Sequence, residues 1–172
     1  MSDMGYNLER LKVLVVDDNR FMHELLKTIL RSFGIKRVRS SYDGNGAISK
    51  LKHVFADVVI VNWEMELLDG YDFVKLLRTA ADSPNPYVSI IMLAGHTEVS
   101  RVVAARDAGV NELLAKPVSA RLVYDQLFMI IDHSRPFLRT PNYFGPDRHR
   151  FQDLSHRGPF LRKDDGGPDT VR

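Results

Sequence analysis

The chain has no cysteine among its 172 residues. That excludes disulfides, a thiolate zinc site and cysteine catalysis, and it agrees with a cytoplasmic setting. No run of about 18 apolar residues occurs, so no segment is predicted to span a membrane. The first residues, MSDMGYNLER, hold no apolar stretch of the kind that directs secretion. Net charge is scarce too, at +2. What remains is an ordinary globular composition, 44% apolar and 27% charged, enough for one domain with chain left over.

The small net charge hides an asymmetry. Through residue 134 there are 16 Lys and Arg against 17 Asp and Glu; from Arg135 onward there are 8 against 5. Composition shifts at the same place, toward Pro, Gly, Asp and Arg and away from aliphatics. We therefore read residues 1–134 as a folded domain. Residues 135–172 read as an irregular, partly disordered C-terminal tail rich in arginine and aromatics.

Within the domain, Lys12 to Val16 reads as a buried strand. Asn19 caps a helix with Phe21, Leu25, Leu26, Ile29 and Leu30 at helical spacing, and Gly34 ends it. A strand over 37–41 follows, then a helix capped by Asp43. Asp57 to Val61 is a strand, Asp69-Gly70 a turn, and Tyr71 to Thr79 a helix with Phe73, Val74 and Leu77 inward. Ser83 to Pro86 is a loop and Val88 to Leu93 a strand. Thr97 caps a helix that Gly109 stops, Asn111 to Ala115 is a strand, and Ser119 caps a helix reaching about His133. Five strand–helix repeats predict an α/β fold, a five-stranded doubly wound parallel sheet.

Such sheets carry their sites at the C-terminal ends of the strands. There the sequence places Asp17-Asp18, then Asn62-Trp63-Glu64, then Ala94-Gly95-His96, then Lys116-Pro117. Two adjacent carboxylates need a cation. Lys116 is one source of charge and a divalent metal another. Asp17 acting as a helix cap paired with Lys116 explains the same spacing.

Val13-Leu-Val-Val-Asp17-Asp18-Asn19, the Asp69-Gly70 turn and Lys116-Pro117 together resemble the CheY-like receiver domain of two-component response regulators, over about residues 10–133. The resemblance implies a flavodoxin-like fold, an acidic pair that binds Mg²⁺ and a carboxylate acceptor ending the third strand. It also implies a Ser or Thr ending the fourth strand, a lysine that holds the phosphoryl group, and an aromatic switch on the fifth strand.

The chain departs from that pattern at the acceptor, which is Asn62, at the hydroxyl, which is Ala94, and at the switch position, Leu113. Met65-Glu66 replaces the usual Met-Pro. Losing one carboxylate removes roughly 4 kcal/mol per unit of cation charge at about 4 Å and an effective dielectric near 20, and Mg²⁺ gives up water reluctantly. Weak or no Mg²⁺ binding follows as an expectation, with no catalytic residue and no required cofactor. Asp17, Asp18, Asn62, Ala94 and Lys116 then mark a former phosphorylation site in a pseudo-receiver that is not an enzyme. Glu64 is the alternative acceptor of a response regulator that still takes a phosphoryl group.

Trp63 reads as a partly exposed reporter beside that site, and His23, His53, His96 and His133 as surface or helix-end residues without metal spacing. In receivers the face of the fourth helix, fifth strand and fifth helix docks a partner such as a histidine kinase or a flagellar motor component. Here that face draws on Arg101, Arg106, Glu112, Arg121 and Tyr124, with Val99, Val102 and Val103 shared between core and partner.

In the tail, arginines alternate with Phe137, Tyr143, Phe144, Phe151 and Phe160, and PFLR occurs at 136–139 and 159–162. Guanidinium groups bind phosphate and stack on rings. Eight positive charges against five negative argue against DNA as the ligand. The layout resembles CheY-like proteins with an arginine-rich extension that binds cyclic di-GMP, which implies Arg135, Arg139, Tyr143, Arg148 and Arg150 as nucleotide-binding residues. A disordered docking tail on a plain protein-interaction module is the competing reading.

Overall fold

Apolar runs pair side by side at the centre of a sheet because neither of their faces tolerates water, and a polar run, Arg37–Ser41, takes one edge. The computed structural model describes residues 7–148 and 169–171. Strands β1 (Lys12–Val16), β2 (Arg37–Ser41), β3 (Val58–Asn62), β4 (Ser89–Ala94) and β5 (Glu112–Ala115) form one parallel sheet. Its order is β2-β1-β3-β4-β5, the flavodoxin-like doubly wound arrangement. Helices α1 (Arg20–Ser32), α2 (Gly44–Leu51), α3 (Gly70–Thr79), α4 (Val99–Ala108) and α5 (Ala120–Asp132) connect the strands.

Successive strand residues point to opposite faces, so the sheet divides two cores. Val13 and Val15 pack with Leu26, Leu30, Val123 and Leu127 of α1 and α5. Leu14 and Val16 pack with Ala47, Phe73, Val74 and Ala105 of α2, α3 and α4.

The caps follow the sequence closely. Asn19, Asp43, Asp69 and Ser119 each accept a backbone N–H in the first turn of the helix they start. Gly109 ends α4 at φ +100°. Thr97 is a correction: Glu98 occupies the N-cap of α4 and makes no side-chain bond there. Phe21 and Leu25 are a second correction, 85% and 43% exposed. The buried stripe of α1 runs through His23, Leu26, Ile29 and Leu30, and Phe21 and Leu25 stand off that stripe in the same helix.

The tail contains structure that composition did not foretell. After residue 134, β6 (Phe137–Thr140) and β7 (Tyr143–Pro146) make an antiparallel hairpin, and β8 (Asp169–Val171) pairs with the other side of β6. The expectation of an irregular tail therefore fails for residues 137–146. The hairpin buries Leu138, Tyr143 and Phe144 and lies against α3 and α4.

Arg78, at the end of α3, is the pin beneath it. Its Nε donates to the Gly109 carbonyl at 3.0 Å, Nη1 to the Pro86 carbonyl at 2.6 Å and Nη2 to Asn111 Oδ1 at 3.1 Å. The guanidinium lies 4.9 Å from the Phe137 ring. Burial pulls its pKa down to about 9, for its acceptors are neutral. Arg135 ties the other side, donating to the Asn111 carbonyl, to Glu112 at 3.2 Å and to the Asp147 carbonyl at 3.1 Å.

Replacing Arg78 with methionine keeps the volume but removes the donor from the Gly109 and Pro86 carbonyls, while Asn111 Oδ1 keeps the Ile90 N–H. At about 1–3 kcal/mol for each group left unsatisfied, we expect a loss of roughly 2 kcal/mol or more in denaturant unfolding, with faster amide exchange across 137–146. Unchanged stability and exchange would show that the hairpin docks without this arginine.

Candidate functional site

Strands β1, β3, β4 and β5 end at one edge, and each contributes a residue there. Asn62 is 4% exposed, Asp17 1% and Ala94 fully buried. Lys116 Nζ crosses from the end of β5 and donates to Asn62 Oδ1 at 2.8 Å. Asn62 Nδ2 donates to the Glu64 carbonyl at 2.6 Å. Both ends of the amide are thus occupied, and the second bond is one that a carboxylate cannot make. Gly70 closes the floor. Its N–H donates to the Trp63 carbonyl at 2.8 Å, and a Cβ there would stand 2.2 Å from the Asn62 carbonyl oxygen.

Asp17 Oδ1 accepts from the Asn19 N–H at 2.8 Å, and Oδ2 is buried without a hydrogen-bond partner. Burial raises the Asp17 pKa, against the lowering effects of the Asn19 bond and of Lys116. Asp18 is exposed, and its Oδ2 accepts from the Glu66 N–H at 3.3 Å.

The resemblance to receivers implies Mg²⁺ here, and the donors suit it poorly. Asp17 Oδ2 is a hard oxygen open to a cation, and Asp18 adds a second carboxylate. The amide oxygen that would complete the set is bonded to Lys116. Among the described residues no group of three or more His, Cys, Asp or Glu side chains is placed to hold a metal ion.

Two residues read as peripheral turn out to belong to this edge. Trp63 is buried, 8% exposed, not half open. It stacks on Tyr71 at 6.0 Å and 15°, and the Arg101 guanidinium covers it at 4.8 Å. Arg101 also pairs with Glu64 at 2.5 Å. Burial, the largest single effect, works to raise the Glu64 pKa, but the Arg101 bond and charge together with backbone N–H bonds outweigh it and hold the carboxylate low. His23, expected at the surface, is fully buried. Its Nε2 donates to the Asp17 carbonyl at 2.6 Å, its ring lies 4.4 Å from Tyr42, and Nδ1 has no partner. His23 had a signal in the chain, since it precedes Leu26 and Leu30 on the buried stripe of α1, whereas Trp63 had none nearby, because Arg101 reaches it from α4.

Leu113 pairs with Met92 across β4–β5 and packs against the core that holds Trp63. The candidate tail residues are not gathered into one pocket. Arg135 is committed to Glu112. Arg139 is exposed, 4.6 Å over Phe144. Arg148 pairs with Asp107 at 3.2 Å and covers Tyr143 at 4.4 Å. The Tyr143 hydroxyl donates to the Pro146 carbonyl at 2.6 Å, and burial raises its pKa. Arg150, Phe151 and Phe160 lie outside the described residues.

The arrangement has a counterpart in known proteins. A model of the response regulator receiver domain matches residues 13–127. The chain belongs to that family. The receiver is 29% identical to the chemotaxis protein CheY-3 of Vibrio cholerae over 124 residues, which cover 72% of this chain and 94% of that protein. It is 26% identical to the chemotaxis protein CheY of Pseudomonas aeruginosa over 122 residues, covering 71% and 97%. Among solved structures, Vibrio cholerae CheY4 superposes with a TM-score of 0.65 at 26% identity, over 70% of this chain and 98% of that one. The Francisella response regulator 1452 receiver domain gives 0.65 at 25% identity, over 73% and 100%.

Membership makes the chain a signalling module of the two-component type, a class whose members act by docking to protein partners. No helix among the described residues is long and apolar enough to cross a membrane. On the fourth-helix side of this receiver, Val99, Val102 and Val103 are 80%, 42% and 37% exposed, so they belong to the surface and not to the core. Arg121 pairs with Asp125 at 3.8 Å, and Arg106 with Asp107 at 3.3 Å. Tyr124 packs edge-on against Phe33. Glu112 is a correction: it is 5% exposed and bonded to Arg135, so it cannot meet a partner there.

Because the folded state holds the Asp17 proton more tightly than the unfolded chain does, ionised Asp17 opposes folding above its raised pKa. That cost fades as pH falls through the pKa. Asp17→Asn therefore raises the melting temperature at neutral pH, and the gain shrinks toward acid. A constant gain at every pH would mean that the charge is not the cause.

Proposed function

We propose that this receiver is a phosphorylation-independent signalling adaptor, a pseudo-receiver that binds a protein partner through the α4–β5–α5 face. The observation that carries the reading is the doubly bonded Asn62 amide, with Oδ1 on Lys116 and Nδ2 on the Glu64 carbonyl. An amide nitrogen is delocalised into its carbonyl and does not accept a phosphoryl group. Ala94 offers no hydroxyl to a phosphoryl oxygen, and Leu113 offers no aromatic ring to swing. Mg²⁺ binding is weak or absent in this reading, because Lys116 neutralises the site where the metal would. Exposed valines on α4 support the docking face, since an apolar stripe rimmed by Arg101 and Arg106 suits a protein surface.

The arginine-rich tail supplies the ligand half of the proposal, an anionic nucleotide such as cyclic di-GMP. Arg139 is exposed on the ring of Phe144, while Arg135 and Arg148 must leave Glu112 and Asp107 before they can meet a phosphate.

Two measurements separate the halves. Acetyl phosphate with Mg²⁺ leaves the mass of the protein unchanged, whereas Asn62→Asp gains one phosphoryl group. A phosphoryl group found on Glu64 of the unaltered chain would favour the atypical acceptor. Calorimetry with cyclic di-GMP gives heat with the full chain and none after removal of residues 135–172. Silence from the folded full chain at tens of micromolar, roughly, removes the nucleotide and leaves the adaptor.

A further inference from the structure

One cavity of the receiver lies far from the edge that holds Asp17 and Asn62. It opens along β2, between α1 and α2, with a volume of about 860 Å³. Lys12, Lys27, Lys36, Arg37, Arg39 and Lys50 line it, and no lining residue is acidic. Six of the 16 Lys and Arg residues of a domain whose net charge is −1 are thus gathered in one groove. Charge on an edge strand is a common defence against sheet-to-sheet aggregation. Arg37 and Arg39 would suffice for that. Lys12, Lys27 and Lys50 arrive from β1, α1 and α2, so three further elements converge on the same strand.

We propose that this groove takes an acidic, extended segment of a partner protein, which adds to β2 as a sixth strand. β2 is an outer strand of the sheet, with β1 on its one paired side. The Asp17 N–H donates to the Ser41 carbonyl. In a parallel ladder alternate residues face the same neighbour, so Ser41, Arg39 and Arg37 turn their backbone groups to β1. Val38 and Ser40 turn theirs outward. Lys50 Nζ donates to the Ser40 carbonyl and is the group an incoming strand displaces.

The cations are available. Lys27 and Lys36 are held by Glu24 at 3.4 Å and Glu9 at 3.6 Å, and both glutamates are well exposed, so these bonds are weak. Arg37 and Arg39 have exposed side chains and no carboxylate partner among the described residues. Phe55, 61% exposed beneath the Lys12 ammonium at 5.4 Å, offers an apolar seat at one end. Strand addition draws affinity from main-chain hydrogen bonds and specificity from alternate side chains. An acidic partner strand would meet Arg37 and Arg39 with every second residue. A nucleic acid could use the charge but not the open backbone of Val38 and Ser40, which is why a peptide is favoured. The inference is independent of the state of Asn62 and of the tail.

The probe is a fluorescein-labelled peptide of about ten residues with alternating Glu and Val, titrated with the full chain and read by anisotropy. Binding is expected at low salt and weaker near physiological ionic strength, with slower amide exchange at Val38 and Ser40. Arg37→Glu with Arg39→Glu should weaken it at least about tenfold, and Lys12→Glu with Lys36→Glu should do so independently. No binding to the folded protein, or binding that both double variants leave intact, overturns the proposal. So does tighter binding of oligothymidylate without protection of the two amides, which would reassign the groove to nucleic acid.

Discussion

A lysine bonded to an amide, where the fold is built for a lysine facing a carboxylate, governs the electrostatics of this receiver. The ammonium of Lys116 reaches the end of β3 and finds a neutral oxygen. It thereby remains the counter-charge for Asp17, whose second oxygen lies buried and unbonded. The lysine charge offsets only part of the cost of burying that carboxylate, which is why the Asp17 pKa is still raised. Glu64 is drawn away to Arg101 over Trp63, so the third carboxylate nearby serves the wall of the site and not its centre. The pocket is held by Lys116 on Asn62, by Arg101 on Glu64 and by the stacked pair of Trp63 and Tyr71.

The fold was legible because each element carried its own signal. Apolar runs marked β1, β3 and β4, and Asn19, Asp43, Asp69 and Ser119 announced the helices they cap. The site was legible for a related reason: parallel sheets deliver strand ends to one edge, so Asp17, Asn62, Ala94 and Lys116 could be brought together from order alone. What failed was rotation about a helix axis. Phe21 and Leu25 share the periodicity of α1 but stand off its buried stripe, and His23, which lies on it, looks polar in the sequence. Trp63 looked open because the residue that covers it, Arg101, is 38 positions away in the chain.

The tail shows the limit of composition. Arginine, proline and glycine lower the expectation of order, yet residues 137–146 pair because Leu138, Tyr143 and Phe144 find a buried seat. Beneath that seat Arg78 donates to the Gly109 and Pro86 carbonyls and to Asn111. No local pattern in the tail encodes a bracket supplied by α3. The same geometry explains why the arginines singled out for anion binding are dispersed: Arg135 and Arg148 stitch the hairpin down to Glu112 and Asp107.

Gly145 of the hairpin meets Gly109 at the end of α4 backbone to backbone. A Cβ on Gly145 would lie 2.8 Å from the Gly109 Cα, and one on Gly109 would lie 3.1 Å from the Phe144 carbonyl oxygen. Tyr143 Oη and the Arg78 side chain close around the same two glycines. A side chain at either glycine would have to push the hairpin away from α4. The docked tail and the end of α4 therefore share one close-packed contact, at the end of the sheet opposite Asp17, Asn62 and Lys116.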